Sequence, residues 1–279
     1  MSWQHLCARR SARVAAAALA LVMFAALIVP WLSPYDYATP AWTRIFHAPT
    51  ANGGQIFGTD SLGRDLLVRV MWGCRISLSV GVAASLISVV IGVLWGTTAG
   101  FLGGRVDSVL MRTVDVLYTV PFIPLVIVLE VLFGRHFLLV FVAIGAVSWL
   151  DIARIVRGQT LAICQQEYID AARALGVRTP AMLWRHVVPN LIGLVVVYAT
   201  LTIPSVILFE ALLSFLGLGV QAPLASLGSL VAEGANEMQA HPYLLVIPAL
   251  FLALIILCLN SLGDALRDAL DPRHETPHA

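Results

Sequence analysis

The sequence predicts an all-α, polytopic membrane protein with six transmembrane helices. Three observations lead to this prediction: 59% of the 279 residues are hydrophobic, only 12% are charged, and the mean hydropathy is +0.88. Soluble domains carry about 25% charged residues, so this composition indicates a chain that lies in lipid. One transmembrane helix needs about 20 predominantly apolar residues. The candidate spans are 14–33, 77–99, 109–133, 137–157, 191–217 and 243–263.

The first apolar run is interpreted as an uncleaved membrane anchor. Arg9, Arg10 and Arg13 precede it, as basic residues precede a signal peptide, but the following "LIVPWLSPYD" has no small-residue cleavage site. The apolar run is also long for a signal peptide. The chain is therefore divided into a cytoplasmic tail 1–13, an anchor helix 14–33, an extracytoplasmic segment 34–76, a transmembrane core 77–265 with a cytoplasmic loop 158–190, and a cytoplasmic tail 266–279.

Arginine placement predicts the orientation of the spans, because basic residues concentrate in cytoplasmic loops. If the N-terminus lies inside, five of the 17 arginines face outward and the other 12 face the cytoplasm. The outward five are Arg44, Arg64, Arg69, Arg75 and Arg135. Both termini and the loop 158–190 are therefore expected in the cytoplasm.

All 17 basic residues are arginines, which excludes one class of ATP-binding site. A phosphate-binding P-loop needs a lysine to reach the phosphates, so this chain is expected not to hydrolyse ATP. The cysteines Cys7, Cys74, Cys164 and Cys258 are scattered, as are the seven histidines, and they indicate neither a metal site nor a disulfide framework. The net charge of +1 gives no basis for nucleic-acid binding, and no catalytic residue is assigned.

The segment 167–193, "EYIDAARALGVRTPAMLWRHVVPNLIG", is a polar stretch between two apolar spans. It predicts a first helix over 167–175, with Asp170 and Arg173 three residues apart on one face. Gly176 stands where a helix C-cap glycine belongs. Three residues of this helix have small side chains, so another protein surface could approach that side of the helix closely. These residues are Ala171, Ala172 and Ala174.

A second short helix is predicted after a sharp reversal of the chain. Thr179 is its expected N-cap and Pro180 its first helical residue. Pro189 is expected to end it before the next span begins. The helix pair either docks with another protein or lies on the lipid surface as an interfacial pair.

This loop resembles the EAA loop of ABC-importer membrane subunits, which has an acidic residue, paired alanines, a glycine and a later proline. The matching residues are Glu167, Ala171, Ala172, Gly176 and Pro189. In that family the loop forms the coupling helices that dock into clefts on the ATPase subunits. The resemblance implies the same role here, and the neighbouring Asp170, Arg173 and Arg185 are assigned to the coupling loop with them.

Four further stretches resemble the C-type membrane subunits of dipeptide, oligopeptide and nickel importers. They are "FGTDSLGRDLLVRVMWGCRISLSVG" (57–81), "AGFLGGRVDSVLMRTVD" (99–115), "EALLSFLGLGVQAP" (210–223) and "NSLGDALRDALDPR" (260–273). The resemblance implies the type I ABC importer permease fold. The sequence departs from the family at Leu227 and Tyr243, where the family commonly has tryptophan.

The resemblance further implies a permease subunit of an ATP-driven importer in the bacterial inner membrane, for peptides or a similar small solute such as nickel chelates. The implied partners are a homologous permease subunit, two ATPase subunits and an extracytoplasmic solute-binding protein. ATP and magnesium would be bound by the ATPase subunits, and this chain is expected to bind no cofactor.

Several charged residues outside the loop are open to two interpretations. Asp60, Arg64 and Asp65 either contact the external receptor or the partner subunit, or form local ion pairs that hold their own segment. Glu210 lies deep in an apolar span, where an ionisable group is costly and often functional. It either faces a polar pathway or the partner, or is a neutral, hydrogen-bonded packing residue. Glu130 is a second ionisable group in or near a span.

Gly92, Gly96 and Gly100 repeat every four residues in the second span. This pattern predicts a face for close helix packing rather than a pore motif.

Two other protein classes compete with the importer subunit. A stand-alone secondary transporter would have polar relay residues at mid-membrane and an internal repeat, and only Glu210 is a good relay candidate. A membrane-embedded enzyme would need clustered His, Asp or Ser, such as an HExxH pair, and the sequence has none.

Overall fold

The computed structural model describes residues 10–50, 54–134 and 137–270, and the chain is almost entirely helical in these ranges. The only pairing of extended backbone within them is an isolated bridge between Thr59 and Asp65. The helices are α1 (Arg10–Leu32), α2 (Leu66–Leu102), α3 (Gly104–Thr119), α4 (Phe122–Phe133), α5 (Phe137–Cys164), α6 (Glu167–Ala174), α7 (Thr179–Met182), α8 (Val188–Phe215), α9 (Leu227–Asn236) and α10 (Tyr243–Leu270), with a 3₁₀ turn at Trp42–Arg44 and a π turn at Leu183–Val187. The predicted all-α class is confirmed.

Four helical segments are long and apolar enough to cross a membrane: α1, α2, the continuous helix Thr179–Phe215 and α10. The bent pair of α3 and α4 makes a fifth if it counts as one span. The prediction of a multi-pass protein is confirmed, but the count of six is not, since the described residues give four or five spans. The remaining predicted span, 137–157, lies within the 28-residue α5.

The helices differ from two of the predicted spans for local reasons. α2 begins at Leu66 rather than at 77, because the Asp65 carboxylate caps it by accepting a hydrogen bond from the Val68 N–H at 2.9 Å. The predicted span 109–133 is divided into α3 and α4, which meet at 84°. Pro121 disfavours helical backbone in the residue before it, and Val120 is extended, with φ −75° and ψ 120°.

α2 packs along α5, and glycines allow the two backbones to approach closely. A Cβ atom on Gly96 would lie 2.5 Å from the carbonyl oxygen of Ala153, and one on Gly100 would lie 2.8 Å from that of Arg157. Gly92 has a similarly close contact one turn earlier. The predicted small-residue packing face is therefore confirmed.

The same contacts show that α2 and α5 run in parallel, since later residues of one helix meet later residues of the other. The end of α5, where α6 and α7 follow, therefore lies at the opposite end of the bundle from the start of α2. Two candidate sites are separated in this way: the loop 158–190 at one end, and the segment around Asp60 at the other.

α1 is attached to α2 by an arginine that compensates for a proline. Pro30 has no N–H, so the carbonyl group of Ala26, four residues earlier, lacks its helical donor. The Nε of Arg75 donates to that carbonyl oxygen at 2.5 Å, and Nη2 donates to the carbonyl oxygen of Leu27 at 2.6 Å. These two hydrogen bonds hold α1 against α2, and the interpretation of the first apolar run as an uncleaved anchor stays a prediction.

Candidate functional site

The loop helices α6 and α7 pack by one face onto the end of α5. Ile169 is 0% exposed and Met182 is 2% exposed, and both lie in an apolar cluster with Ile163 and Val187. Burying a side chain of this size stabilises the folded state by about 1.5–3 kcal/mol. The loop is therefore held firmly on its inner side, and its outer side is left exposed.

Ala172 belongs to that inner face, and this corrects one prediction. Its side chain is buried in the cluster, whereas Ala171 and Ala174 are exposed. Residues 169 and 172 are three apart, so they lie on one side of α6 and point inward together. The predicted approach surface of three alanines is thus wrong for Ala172.

Gly176 ends α6 in the left-handed region, with φ +77°. Its N–H donates to the carbonyl oxygen of Arg173 at 3.0 Å, and the N–H of Val177 donates to that of Ala172 at 3.1 Å. These two hydrogen bonds form a Schellman motif, which satisfies carbonyl groups that the end of a helix leaves unpaired. The predicted C-cap glycine is confirmed.

The outer surface of the loop carries charges and exposed apolar side chains. Glu167, Asp170, Arg173 and Arg185 are exposed, and the predicted pair between Asp170 and Arg173 is present at 3.2 Å. An exposed ion pair of this kind contributes at most about 1 kcal/mol to stability. These charges therefore contribute little to the stability of the fold, and their main effect is on the binding of another molecule to this surface.

Leu175 and Trp184 lie on this loop with 85% and 63% of their surface exposed. The sequence analysis missed both, although a leucine just before a C-cap glycine and a tryptophan in a polar stretch were visible signals. Exposed apolar groups that are rimmed by charges mark interaction sites, and tryptophan often carries much of the binding energy.

The predicted end of the second loop helix at Pro189 is wrong. The chain continues from α7 through the π turn into α8 without a break, and Pro189 lies in the first turn of α8. In the π turn the N–H of Val188 bonds to the carbonyl oxygen of Leu183, five residues back. This wider turn accommodates a proline, which has no N–H to donate. Thr179 is the first residue of α7 rather than its N-cap, which is Arg178.

At the other end of the bundle, Asp60, Arg64 and Asp65 are buried, with exposures of 3%, 6% and 4%. Asp65 caps α2, and Asp60 pairs with Arg64 at 2.7 Å and with the buried Arg69 at 2.6 Å. Arg69 also reaches Glu233 of α9 at 2.6 Å. The interpretation as local ion pairs thus describes Asp60 and Arg64, while Asp65 is a helix cap. Contact with a receptor or partner subunit stays a prediction.

Glu210 is completely buried between α2, α8 and the start of α9. Its carboxylate accepts hydrogen bonds from Ser77 at 3.0 Å and from Ser214 at 2.7 Å. Ser77 Oγ also accepts a hydrogen bond from the N–H of Leu227, the first residue of α9. Of the two interpretations of Glu210, a pathway residue or a hydrogen-bonded packing residue, this geometry corresponds to the second. A role for Glu210 in a pathway stays a prediction, and the side chain of Glu130 lies outside the part of the chain that the structure describes.

A cavity of about 440 Å³ lies among α3, α4, α5 and α8. The sequence analysis did not identify it, although Asp151 in the apolar α5 was a visible signal. Asp151 accepts a hydrogen bond from the Tyr118 hydroxyl. The cavity-lining residues are Tyr118, Phe122, Ile144, Val147, Ser148, Asp151, Ile155, Tyr198, Leu201, Thr202, Ser205 and Phe209.

Comparison with known families gives two matches. Residues 88–276 match the family described as binding-protein-dependent transport system inner membrane component. Residues 1–49 match the family described as N-terminal TM domain of oligopeptide transport permease C.

Curated relatives match over nearly the whole chain. The chain is 47% identical to the oligopeptide transport system permease protein OppC of Haemophilus influenzae, over 97% of this chain and 88% of the relative. It is 53% identical to OppC of Escherichia coli K12, over 94% and 87%. It is 41% identical to the dipeptide transport system permease protein DppC of Bacillus subtilis, over 98% and 85%.

Among solved structures, a chain of the MetNI methionine ABC transporter in an inward-facing conformation is similar in fold. The TM-score is 0.59, at 17% sequence identity, over 73% of this chain and 96% of that one. The likeness supports the predicted type I importer permease fold.

Proposed function

The chain belongs to the family of binding-protein-dependent transport system inner membrane components, and from that premise we propose that it is the C-type permease subunit of an ATP-driven peptide importer. Relatives named as oligopeptide and dipeptide permeases support peptides as the solute. The alternative of a stand-alone secondary transporter is not favoured, because these relatives are permease components of larger transport systems.

The exposed loop surface is the observation that best supports coupling to an ATPase. The inner face of α6 and α7 is packed onto α5, while Leu175 and Trp184 project with the charges around them. A rigid helix pair that presents apolar anchors within a polar rim has the composition of a docking surface. On this proposal two ATPase subunits grip such loops, one on this chain and one on a homologous permease subunit.

The description of the family as binding-protein-dependent supports the remaining partners of this proposal. With no lysine, the chain has no P-loop, so ATP and magnesium would be bound by the ATPase subunits. An extracytoplasmic solute-binding protein would deliver the peptide to the outer side. The two permease subunits then alternate between outward and inward access, and the solute must bind the two states with different affinity.

The proposal places both termini and the loop 158–190 in the cytoplasm, and the segment 34–76 outside. Replacing the four native cysteines and introducing one cysteine, at Ala51 or at Thr179, tests this orientation. In intact cells, an impermeant thiol reagent is expected to label Ala51→Cys strongly and Thr179→Cys only after the membrane is opened. Labelling of Thr179→Cys alone in intact cells would reverse the orientation and remove the loop from the ATPase side.

Gly176→Val is expected to reduce peptide uptake by about tenfold, since forcing a β-branched residue into the left-handed region costs about 1–3 kcal/mol. A Cβ atom at this position meets nothing within 4 Å, so backbone strain is the only direct effect. Uptake and pull-down of the ATPase subunits are measured at equal amounts of membrane-inserted protein.

Gly176→Asn is the matched control, because asparagine tolerates the left-handed region, and it is expected to retain most uptake. Equal uptake by the valine and asparagine variants would show that the reversal does not transmit coupling. The helix pair would then be better described as an interfacial pair on the lipid surface.

A further inference from the structure

The cavity among α3, α4, α5 and α8 carries one formal charge on its wall. All the lining residues lie within the described part of the chain, and among them only Asp151 has an acidic or basic side chain. The nearby Arg154 is not a lining residue, and its Nη2 lies 2.8 Å from the carboxylate of Asp115. An exposed carboxylate within an apolar membrane helix is costly, and such groups commonly serve ion or substrate pathways.

Three hydroxyl groups of the cavity lining already donate their proton to a carbonyl oxygen of their own helix. Ser148 donates its proton to the carbonyl oxygen of Ile144 at 3.0 Å, and Thr202 donates to that of Tyr198 at 2.7 Å. Ser205 donates to its own helix in the same way. A hydroxyl has one proton and two lone pairs, so each of these groups has only acceptor capacity left for a ligand.

Aromatic rings supply a second feature that favours a positive charge. Tyr118, Phe122, Tyr198 and Phe209 all line the cavity, and the rings of Phe122 and Phe209 meet edge to face, with centroids 5.4 Å apart. The faces of such rings attract cations, and this attraction strengthens where water is excluded. The Tyr118 hydroxyl donates to Asp151, and the Arg154 guanidinium lies over that ring, 4.2 Å from its centroid. One face of Tyr118 therefore already holds a cation, and the other three rings are the ones left for a ligand.

We propose that this cavity binds an ammonium or guanidinium group of the transported solute, with Asp151 as its counter-ion. The assignment rests on the proposed importer function, because it gives that function a solute subsite within this chain. A cation would be compensated by the Asp151 carboxylate and would donate to the acceptor hydroxyl groups on an otherwise mostly apolar wall, whereas an anion would be repelled by that carboxylate. A volume of about 440 Å³ lies in the range of small-molecule sites and accommodates part of a peptide.

The charge preference is tested in the complete purified importer, with the native cysteines of this chain replaced and Ser205→Cys introduced at the wall. A trimethylammonium methanethiosulfonate and its sulfonate counterpart are compared, and their rate ratio is normalised to that for free cysteine. The cationic reagent is expected to be favoured by about tenfold or more, because the field of one carboxylate acts at short range. Adding Asp151→Asn is expected to remove most of that preference, and Asp36→Asn, at an exposed carboxylate in the segment before α2, is expected to leave it unchanged.

Protection from the cationic reagent then identifies which cation of a peptide binds. Trialanine amide carries only a terminal ammonium, N-acetyl-trilysine amide carries only side-chain ammonium groups, and N-acetyl-trialanine amide carries neither. Protection by either cationic peptide, and none by the neutral one, supports the proposal and identifies the source of the charge.

The proposal is overturned if the normalised ratio is near one, if Asp151→Asn leaves it unchanged, or if neither reagent reaches Ser205→Cys. Equal protection by all three peptides also overturns it. These outcomes are distinct from failure of the proposed function, which would appear as absence of ATP-dependent peptide uptake by the unaltered importer.

Discussion

Replacing Gly96 with leucine is expected to prevent assembly of the helical core. The first carbon of any side chain at this position would lie 2.5 Å from the carbonyl oxygen of Ala153 and 2.9 Å from Cβ of Val156. One of these neighbours is backbone and cannot rotate away, so α2 and α5 would have to separate. Overpacking a core costs about 1–3 kcal/mol when side chains can adjust, and the cost here is expected to exceed that range.

The amount of monodisperse protein after detergent extraction measures the effect, by fluorescence-detected size exclusion of a tagged chain. A loss of about 3 kcal/mol or more is expected to reduce that amount several-fold. Gly158→Leu on α5 is the matched control, because a Cβ atom there meets nothing within 4 Å. Similar yields from the two variants would show that α2 and α5 do not require this close approach.

Replacing Arg69 with leucine is expected to have the second large effect, a loss of about 3–5 kcal/mol of stability. The guanidinium is 1% exposed and pairs with both Asp60 and Glu233, as Arg64 does at a longer distance of 3.7 Å to Glu233. Its removal leaves the buried carboxylate of Asp60 with Arg64 alone. A buried ion-pair network contributes little net stability as a whole, but losing Arg69 leaves two carboxylates, Asp60 and Glu233, with the single arginine Arg64.

Thermal unfolding of the purified importer measures this loss. Arg173→Leu is the control, because its pair with Asp170 is exposed and contributes at most about 1 kcal/mol. Glu233→Gln is expected to be milder than Arg69→Leu, since Glu233 is 46% exposed and Arg69 keeps Asp60. Equal unfolding temperatures for Arg69→Leu and Arg173→Leu would contradict the expectation that Arg69 stabilises the fold through Asp60 and Glu233.

Features set by neighbouring residues could be predicted from the sequence. Gly176 is predictable as a C-cap because a left-handed backbone at a helix end depends only on neighbouring residues. The packing face of α2 is predictable because its glycines repeat every four residues on one helix. The local argument failed at Pro189, since a π turn before a proline depends on hydrogen-bond spacing that sequence patterns do not indicate.

Features that depend on distant residues could not be predicted. Arg69 and Glu233 are 164 positions apart, and no periodic pattern joins them. Asp151 is recognisable in the sequence as an acidic residue in an apolar stretch. Its hydrogen bond from Tyr118 and its place in the cavity wall depend on how four helices pack, which the sequence does not show. Ala172 and Leu175 differ by three positions, yet only the packing against α5 shows which one is buried.

The continuous helix from Thr179 to Phe215 connects the exposed loop to the cavity wall. It has 37 residues, which at about 1.5 Å per residue make a rod of about 55 Å. Trp184 on the loop and Thr202 on the cavity wall are 18 residues apart, about 27 Å along that rod. A tilt of about 10° with its fulcrum at Trp184 would carry Thr202 sideways by about 5 Å, roughly the rise of one helical turn. A small rotation of the loop about Trp184 would therefore be enough to displace the cavity wall at Thr202 by about that distance.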